Sequence, residues 1–225
     1  MRMTTTLPAA PPRRPRLSPA TWDVVVAVVL LVLLWQLVAG VLLPGSMAVS
    51  SPVDVAVQAW ADRGLLLRNT WATCQVAVAG FATGNLLAVV LAVGFVLSPL
   101  ADRVLSQFAL ALYALPTLVL APILKVFLDP ESTRVTVAAL VVFFPTLVST
   151  AAGLRSATPE TVDLVRSLGG TRWTVLHRVR LRGALPGLFS GLRVAVPGAL
   201  LGAIAGEWLG ADTGLGIFMV TRWAT

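Results

Sequence analysis

The sequence predicts an all-α, polytopic helical membrane protein. Three observations carry that reading: 57% of the 225 residues are hydrophobic, only 12% are charged, and the charges mark off long uncharged runs. An average soluble domain carries about 25% charged residues, and a chain this small cannot hide so much apolar surface in its own core. Runs of about 20 apolar residues cross a hydrocarbon layer about 30 Å thick as helices, because lipid offers the backbone no other hydrogen-bond partner. No charge occurs over 24–53, 69–101, 104–124 or 135–154. Spans are therefore expected at 21–43, 70–97, 105–127 and 135–154. A fifth is expected at 187–208, where Arg193 can snorkel to the headgroups.

Residues 1–20, rich in Pro, Arg and Thr and without an apolar period, read as a disordered cytoplasmic tail. Arg13-Arg14 ahead of an apolar run resembles a twin-arginine export signal, but the further spans leave no soluble cargo to export, so an uncleaved first helix is expected. Of the 17 basic residues, 12 fall in 1–21, 98–104, 155–186 or at Arg193; the other five fall on the opposite side. Basic loops stay cytoplasmic, which places the N-terminus inside. That asymmetry also accounts for the net charge of +7, so no nucleic-acid partner is implied. Cys74 and His177 are the only residues of their types. They supply neither a disulfide, nor a metal cluster, nor a catalytic triad. No catalytic residue, metal site or cofactor is expected on this chain, and His177 reads as a surface residue.

Small residues mark two helix faces. Gly80, Gly84, Ala88 and Ala92 recur every four positions in the second span, and Gly198, Gly202 and Gly206 do so in the fifth. Such faces let backbones approach where lipid supplies no hydrophobic drive. Packing within the bundle is the plain reading; a subunit interface or moving gate is the sharper one. Pro116, Pro122 and Pro145 are expected to kink their helices.

The loop at 155–186 is the longest interior polar segment. Thr158 can cap a helix that begins at Pro159, with Glu160 and Asp163 in its first turn, Leu164 following, and Arg166 near its end. Val162, Val165 and Leu168 form an apolar stripe, and Gly169-Gly170 stops the helix. A second amphipathic segment runs from Trp173 to about 181, with Arg172, Arg178, Arg180 and Arg182 on or beside it. Helix, glycine break and basic helix make a docking knob on the cytoplasmic surface.

These residues resemble a known family, the permease subunits of binding-protein-dependent ABC importers, and especially their nitrate/sulfonate/taurine branch. That family's loop carries Glu-Ala-Ala, three residues, Gly, nine residues, then Ile-x-Leu-Pro. Here Asp163-Leu164-Val165 stands at the first position, Gly169 at the second, and Val179-Arg180-Leu181-Arg182 at the last. Arg166-Ser167-Leu168-Gly169, Arg172-Trp173, Ala184-Leu185-Pro186-Gly187 and the stretch from Gly206-Glu207-Trp208 to Gly214-Leu215-Gly216 are also similar. The acid is kept only conservatively, and Arg182 replaces the motif proline.

The resemblance covers 65–225 as an importer transmembrane domain. It implies a solute pathway in a bacterial inner membrane, a second permease copy, separate ATPase subunits at the loop, and a periplasmic or lipid-anchored solute-binding protein. The implied solute is a small anion (sulfonate, taurine, nitrate) or a vitamin precursor. It also implies six spans; with five read here, the last helix is expected to be lacking. Glu207, near the end of a span, is either a pathway residue or a structural cap for the re-entrant Gly214-Leu215-Gly216 segment. No phosphate-cradling Gly-x-x-x-x-Gly-Lys-Ser/Thr run is present, so ATP hydrolysis is expected on a partner. The rival functions are an ion-coupled secondary transporter, for which the deep parts of the spans offer no clear acid and Gln36 and Asn85 are weak substitutes, and a truncated non-transporting anchor.

Overall fold

The computed structural model describes residues 19–42, 49–98 and 117–223, and no strand occurs among them. Two compact units, Met1–Arg63 and Gly64–Thr225, divide the chain. In the first, α1 (Pro19–Leu37) ends in a π turn, Val38–Leu42, and α2 covers Pro52–Ala61. Ser51 and Asp54 close a capping box at the start of α2, and Trp35 Nε1 donates to Ser50 O at 3.1 Å.

The second unit holds most of α3 (Arg63–Leu97), then α4 (Thr117–Phe127), α5 (Pro130–Arg155), α6 (Pro159–Ser167), α7 (Arg172–Glu207) and α8 (Leu215–Trp223). Four described helices are long and apolar enough to cross a membrane: Trp22–Gly40, Arg63–Leu97, Pro130–Arg155 and Arg172–Glu207. The expected third span, 105–127, lies mostly outside the described residues, and only its final part is seen, as α4. The tail expected over 1–20 lies outside them too, apart from residues 19 and 20, which open α1.

Two expected boundaries need correction. The second span begins at Arg63 rather than 70, giving a helix of 35 residues, about 52 Å at 1.5 Å per residue and longer than a bilayer core requires. The basic segment after Gly170 and the fifth span are not separate elements. They form one helix of 36 residues, α7, carried through a π turn at Leu176–Arg180 where the Leu181 amide donates to Leu176 O. No residue between 172 and 187 adopts a positive φ to stop it. Pro186 and Pro197 lie inside the helix and each removes one amide donor without ending it.

Helix α5 is the centre of the second unit. Gly80 and Gly84 of α3 meet Ala138, Ala139 and Val142 on one side of it. On an adjoining face that shares Ala138, Gly191, Gly202 and Gly206 of α7 meet Thr146, Ala138 and Arg134, while Gly198 lies against Val141. Gly153 of α5 in turn abuts the Ala184 backbone. These pairings run α3 parallel and α7 antiparallel to α5. Two buried clusters follow. Val76, Ala77, Ala138, Val142, Ala195, Ala199 and Ala203 fill one; nearer the loop, Ala88, Ala92, Phe95, Leu147, Ala151, Leu154, Leu176 and Ala184 fill the other. Small side chains dominate, so backbone approach and dispersion rather than large interlocking side chains hold the helices.

Candidate functional site: a capped surface loop and an end clasp

The loop between α5 and α7 is built from local hydrogen bonds. The Thr161 amide donates to Thr158 Oγ1 at 3.4 Å, Pro159 opens α6, and Glu160 alone of the acids occupies the first turn. Asp163 lies beyond that turn, contrary to the sequence reading, and meets Arg166 at 3.9 Å on the helix surface. At the other end the Gly170 amide donates to Val165 O and the Gly169 amide to Arg166 O, each at 2.9 Å. That is a Schellman termination, and it sets Gly169 at φ +81°. Open space surrounds the position of a Gly169 Cβ, so a glycine is favoured there by conformation alone. Gly170 is favoured for a different reason: a Cβ there would stand 2.6 Å from Val165 O. Thr171 and Thr174 then close a capping box that starts α7.

Burial divides the candidate residues. Val162, Val175 and Leu176 turn inward, and Val165, Val179 and Leu181 are half-buried, Leu181 packing on the cluster around Leu176. Glu160, Asp163, Arg166 and Arg172 are exposed, as are Leu164 at 61%, Leu168 at 79% and Trp173 at 61%. Leu168 therefore departs from the expected inward stripe. Leu168 is the C-cap of α6, still bonded to Leu164 O, and the left-handed turn at Gly169 ends the helix with its side chain exposed. His177 is exposed, its ring 5.8 Å from that of Trp173 and its Nδ1 3.3 Å from Trp173 O. The loop thus shows an apolar triad, Leu164, Leu168 and Trp173, within a rim of charge. It is anchored by Arg180, whose Nη1 donates to Val96 O of α3 at 3.3 Å.

At the opposite end of the unit a clasp holds the start of α8. Three successive amides each find a side chain: Gly214 N–H donates to Asn69 Oδ1 at 2.9 Å, Leu215 N–H to Thr73 Oγ1 at 2.8 Å, and Gly216 N–H to Glu207 Oε2 at 2.7 Å. Glu207 is fully buried, and its Oε1 has no partner among the described residues. Gly214 sits at φ +131° with the Glu207 carboxylate against it, which leaves no room for a side chain. Arg134 Nη1 donates to Thr213 O at 3.3 Å, and Lys125 Nζ donates to Leu209 O. Sequence reasoning named Glu207 but missed Asn69, Thr73, Arg134 and Lys125. The i, i+4 spacing of Asn69 and Thr73 at the start of an apolar run was the one available signal. Nearer the middle, Asn85 accepts from Thr146 Oγ1 at 2.5 Å and donates to Phe81 O at 2.6 Å. Its polar groups are spent on packing α3 against α5.

The backbone hydrogen bond from Ser132 to the Asp129 carboxylate, which caps α5, holds that carboxyl below its ordinary pKa. Among the described residues no group of His, Cys, Asp or Glu is placed to hold a metal ion. An open groove of about 750 Å³ runs between α3 and α5, with Thr83, Glu131, Ser132 and Thr136 among apolar walls that include Leu87, Leu140 and Phe143.

Comparison with known proteins agrees with this architecture. The family model for the binding-protein-dependent transport system inner membrane component matches residues 84–223, more than half of the chain. Curated relatives include the formylaminopyrimidine transport permease protein ThiX of Halalkalibacterium halodurans, 31% identical over 75% of this chain and 68% of the relative. The riboflavin transport system permease protein RibX of Chloroflexus aurantiacus is 33% identical over 85% of this chain and 72% of its own. The nitrate import permease protein NrtB of Synechococcus elongatus is 27% identical over 92% and 78% respectively. Long apolar helices, small-residue contacts and the matched region together make the chain a multi-pass membrane protein, and it belongs to the binding-protein-dependent inner-membrane component family as a permease subunit of an ABC importer of the nitrate/sulfonate type.

Proposed function

We propose that two copies of this permease enclose a solute pathway and that the loop from Glu160 to Leu181 transmits the state of two separate ATPase subunits to it. The carrying observation is the capped loop whose apolar triad, Leu164, Leu168 and Trp173, is exposed and left uncovered by the described residues. An apolar patch within a charged rim suits a groove on a soluble partner. Because α7 runs from Arg172 to Glu207 as one helix, a push on the loop is delivered along α7, packed against α5, to the clasp at Glu207. Alternating access then requires only that ATP favours one of two packings of this lever.

In this reading the N-terminus and the loop face the cytoplasm, the membrane is the bacterial inner membrane, and a periplasmic or lipid-anchored binding protein delivers solute to the other side. The threonine-lined groove between α3 and α5 borders the pathway. The solute is a small anion or a vitamin precursor. The relatives' names span formylaminopyrimidine, riboflavin and nitrate, which fits a permease whose selectivity resides mainly in its binding protein.

Reconstitution in liposomes with the cognate ATPase and binding protein tests the proposal. Leu164→Asp and Trp173→Asp should lower capture of the ATPase. Gly169→Trp should leave insertion intact while separating ATP hydrolysis from uptake. Wild-type capture and wild-type coupling in all three variants would remove the loop from the mechanism.

A further inference from the structure

We propose that the cleft between the end of α3 and the base of α7 binds the phosphate of an anionic phospholipid. The cleft encloses about 240 Å³, and Arg166, Arg172 and Arg180 face Val96, Leu97 and Leu176 across it. Three guanidinium groups from two elements converge there, and no carboxylate lines it among the described residues. Arg166 meets Asp163 only at 3.9 Å along its own helix, a surface pairing of little strength. Arg180 is the more telling residue. Its Nη1 is engaged by Val96 O, yet its buried Nε has no partner among the described residues. A buried charged donor without an acceptor is costly, and an oxyanion with several lone pairs on a planar fork removes that cost.

The apolar wall selects the source of the phosphate. Val96 and Leu97 are the last residues of α3, so the cleft opens where a membrane-crossing helix leaves the hydrocarbon. A lipid presents its phosphodiester to the arginines and its glycerol and first acyl carbons to Val96, Leu97 and Leu176. Free phosphate gains only the first of these. Basic pockets beside transmembrane helices at the cytoplasmic surface take anionic headgroups in this way. The inference rests on the orientation proposed above only for the leaflet, which is the cytoplasmic one.

The test uses the full chain purified in non-ionic detergent, without its ATPase, so that a failure of the coupling proposal leaves the result standing. Phosphatidylglycerol, phosphatidylcholine and inorganic phosphate are titrated separately, and bound species are counted by native mass spectrometry. Phosphatidylglycerol is expected to bind at least about tenfold more tightly than phosphatidylcholine, and Arg180→Gln should weaken it by about tenfold. The double variant Arg166→Gln/Arg172→Gln, at two exposed positions, should do the same and decides the matter if Arg180→Gln fails to fold. Arg182→Gln, exposed and off the cleft, should change nothing. Equal binding of the two lipids overturns the proposal, as does unchanged phosphatidylglycerol binding in the cleft variants. Saturable phosphate binding without phosphatidylglycerol binding assigns the site to a soluble anion and also overturns it.

Discussion

Adding one methyl group at Gly202 tests whether the α5–α7 contact is close-packed or merely lined with small residues. An alanine Cβ there would stand 2.8 Å from Ala138 Cα and 3.1 Å from Val141 Cγ2. At Gly198, about one turn earlier, the nearest atom is Val141 Cγ1 at 3.4 Å, an ordinary contact. Both substitutions gain a similar helix propensity, about 1 kcal/mol, so their difference isolates the clash. Forcing a methyl into a filled contact costs about 1–3 kcal/mol, and Gly202→Ala should be less stable than Gly198→Ala by that amount. The assay is reversible unfolding of the full chain in mixed micelles, followed by tryptophan fluorescence.

A second arm locates the clash. An alanine Cβ at Gly80 would lie 2.5 Å from Ala138 Cβ, an atom that Ala138→Gly removes. The Gly202 clash is with Ala138 Cα, which stays. Ala138→Gly should therefore rescue Gly80→Ala by about 1 kcal/mol or more and leave the cost of Gly202→Ala nearly unchanged. Equal stability of Gly198→Ala and Gly202→Ala, or equal rescue of both positions, would refute the reasoning.

Replacing Gly169 by Ala should cost about 1 kcal/mol, the penalty of a left-handed residue with space around it, whereas Gly170→Ala should cost more because its Cβ meets Val165 O; amide exchange across 159–168 reads both. Glu207→Ala leaves the buried Gly216 amide unpaired at about 1–3 kcal/mol, while Glu207→Gln keeps an acceptor and should be milder, as thermal unfolding in detergent will report. The carboxyl of Asp129 is held below its usual pKa, so its stabilising cap is present above the unfolded value of about 3.9 and is lost as pH falls through the lower native value. The stability gap between wild type and Asp129→Asn should shrink over that acidic window and persist at neutral pH. In a chain freed of Cys74, thiol labelling of intact cells should reach a cysteine at position 62 and spare one at 172; labelling at 172 from outside would reverse the orientation proposed above.

What the sequence determined by itself was everything that depends on near neighbours along the chain. Membrane residence follows from composition, helix α6 from its Thr158 cap and its Gly169-Gly170 stop, and the small faces of α3 and α7 from a four-residue period. Each of these is decided within a few turns of helix, where spacing and side-chain type are sufficient. The tertiary structure decided what lies opposite. Periodicity shows that Gly80 and Gly202 lie on small faces, but not that both press on the same residue, Ala138 of α5. The run of arginines after Gly170 looks like a separate basic helix until the π turn at Leu176–Arg180 joins it to the following span. Leu168 fits an inward stripe by its spacing, yet the turn that follows leaves it exposed. The clasp was the least visible feature of all. Asn69 and Thr73 meet the start of α8 across separations of 145 and 142 residues, and a hydrogen bond over that distance depends on how the intervening helices pack, which no local pattern encodes.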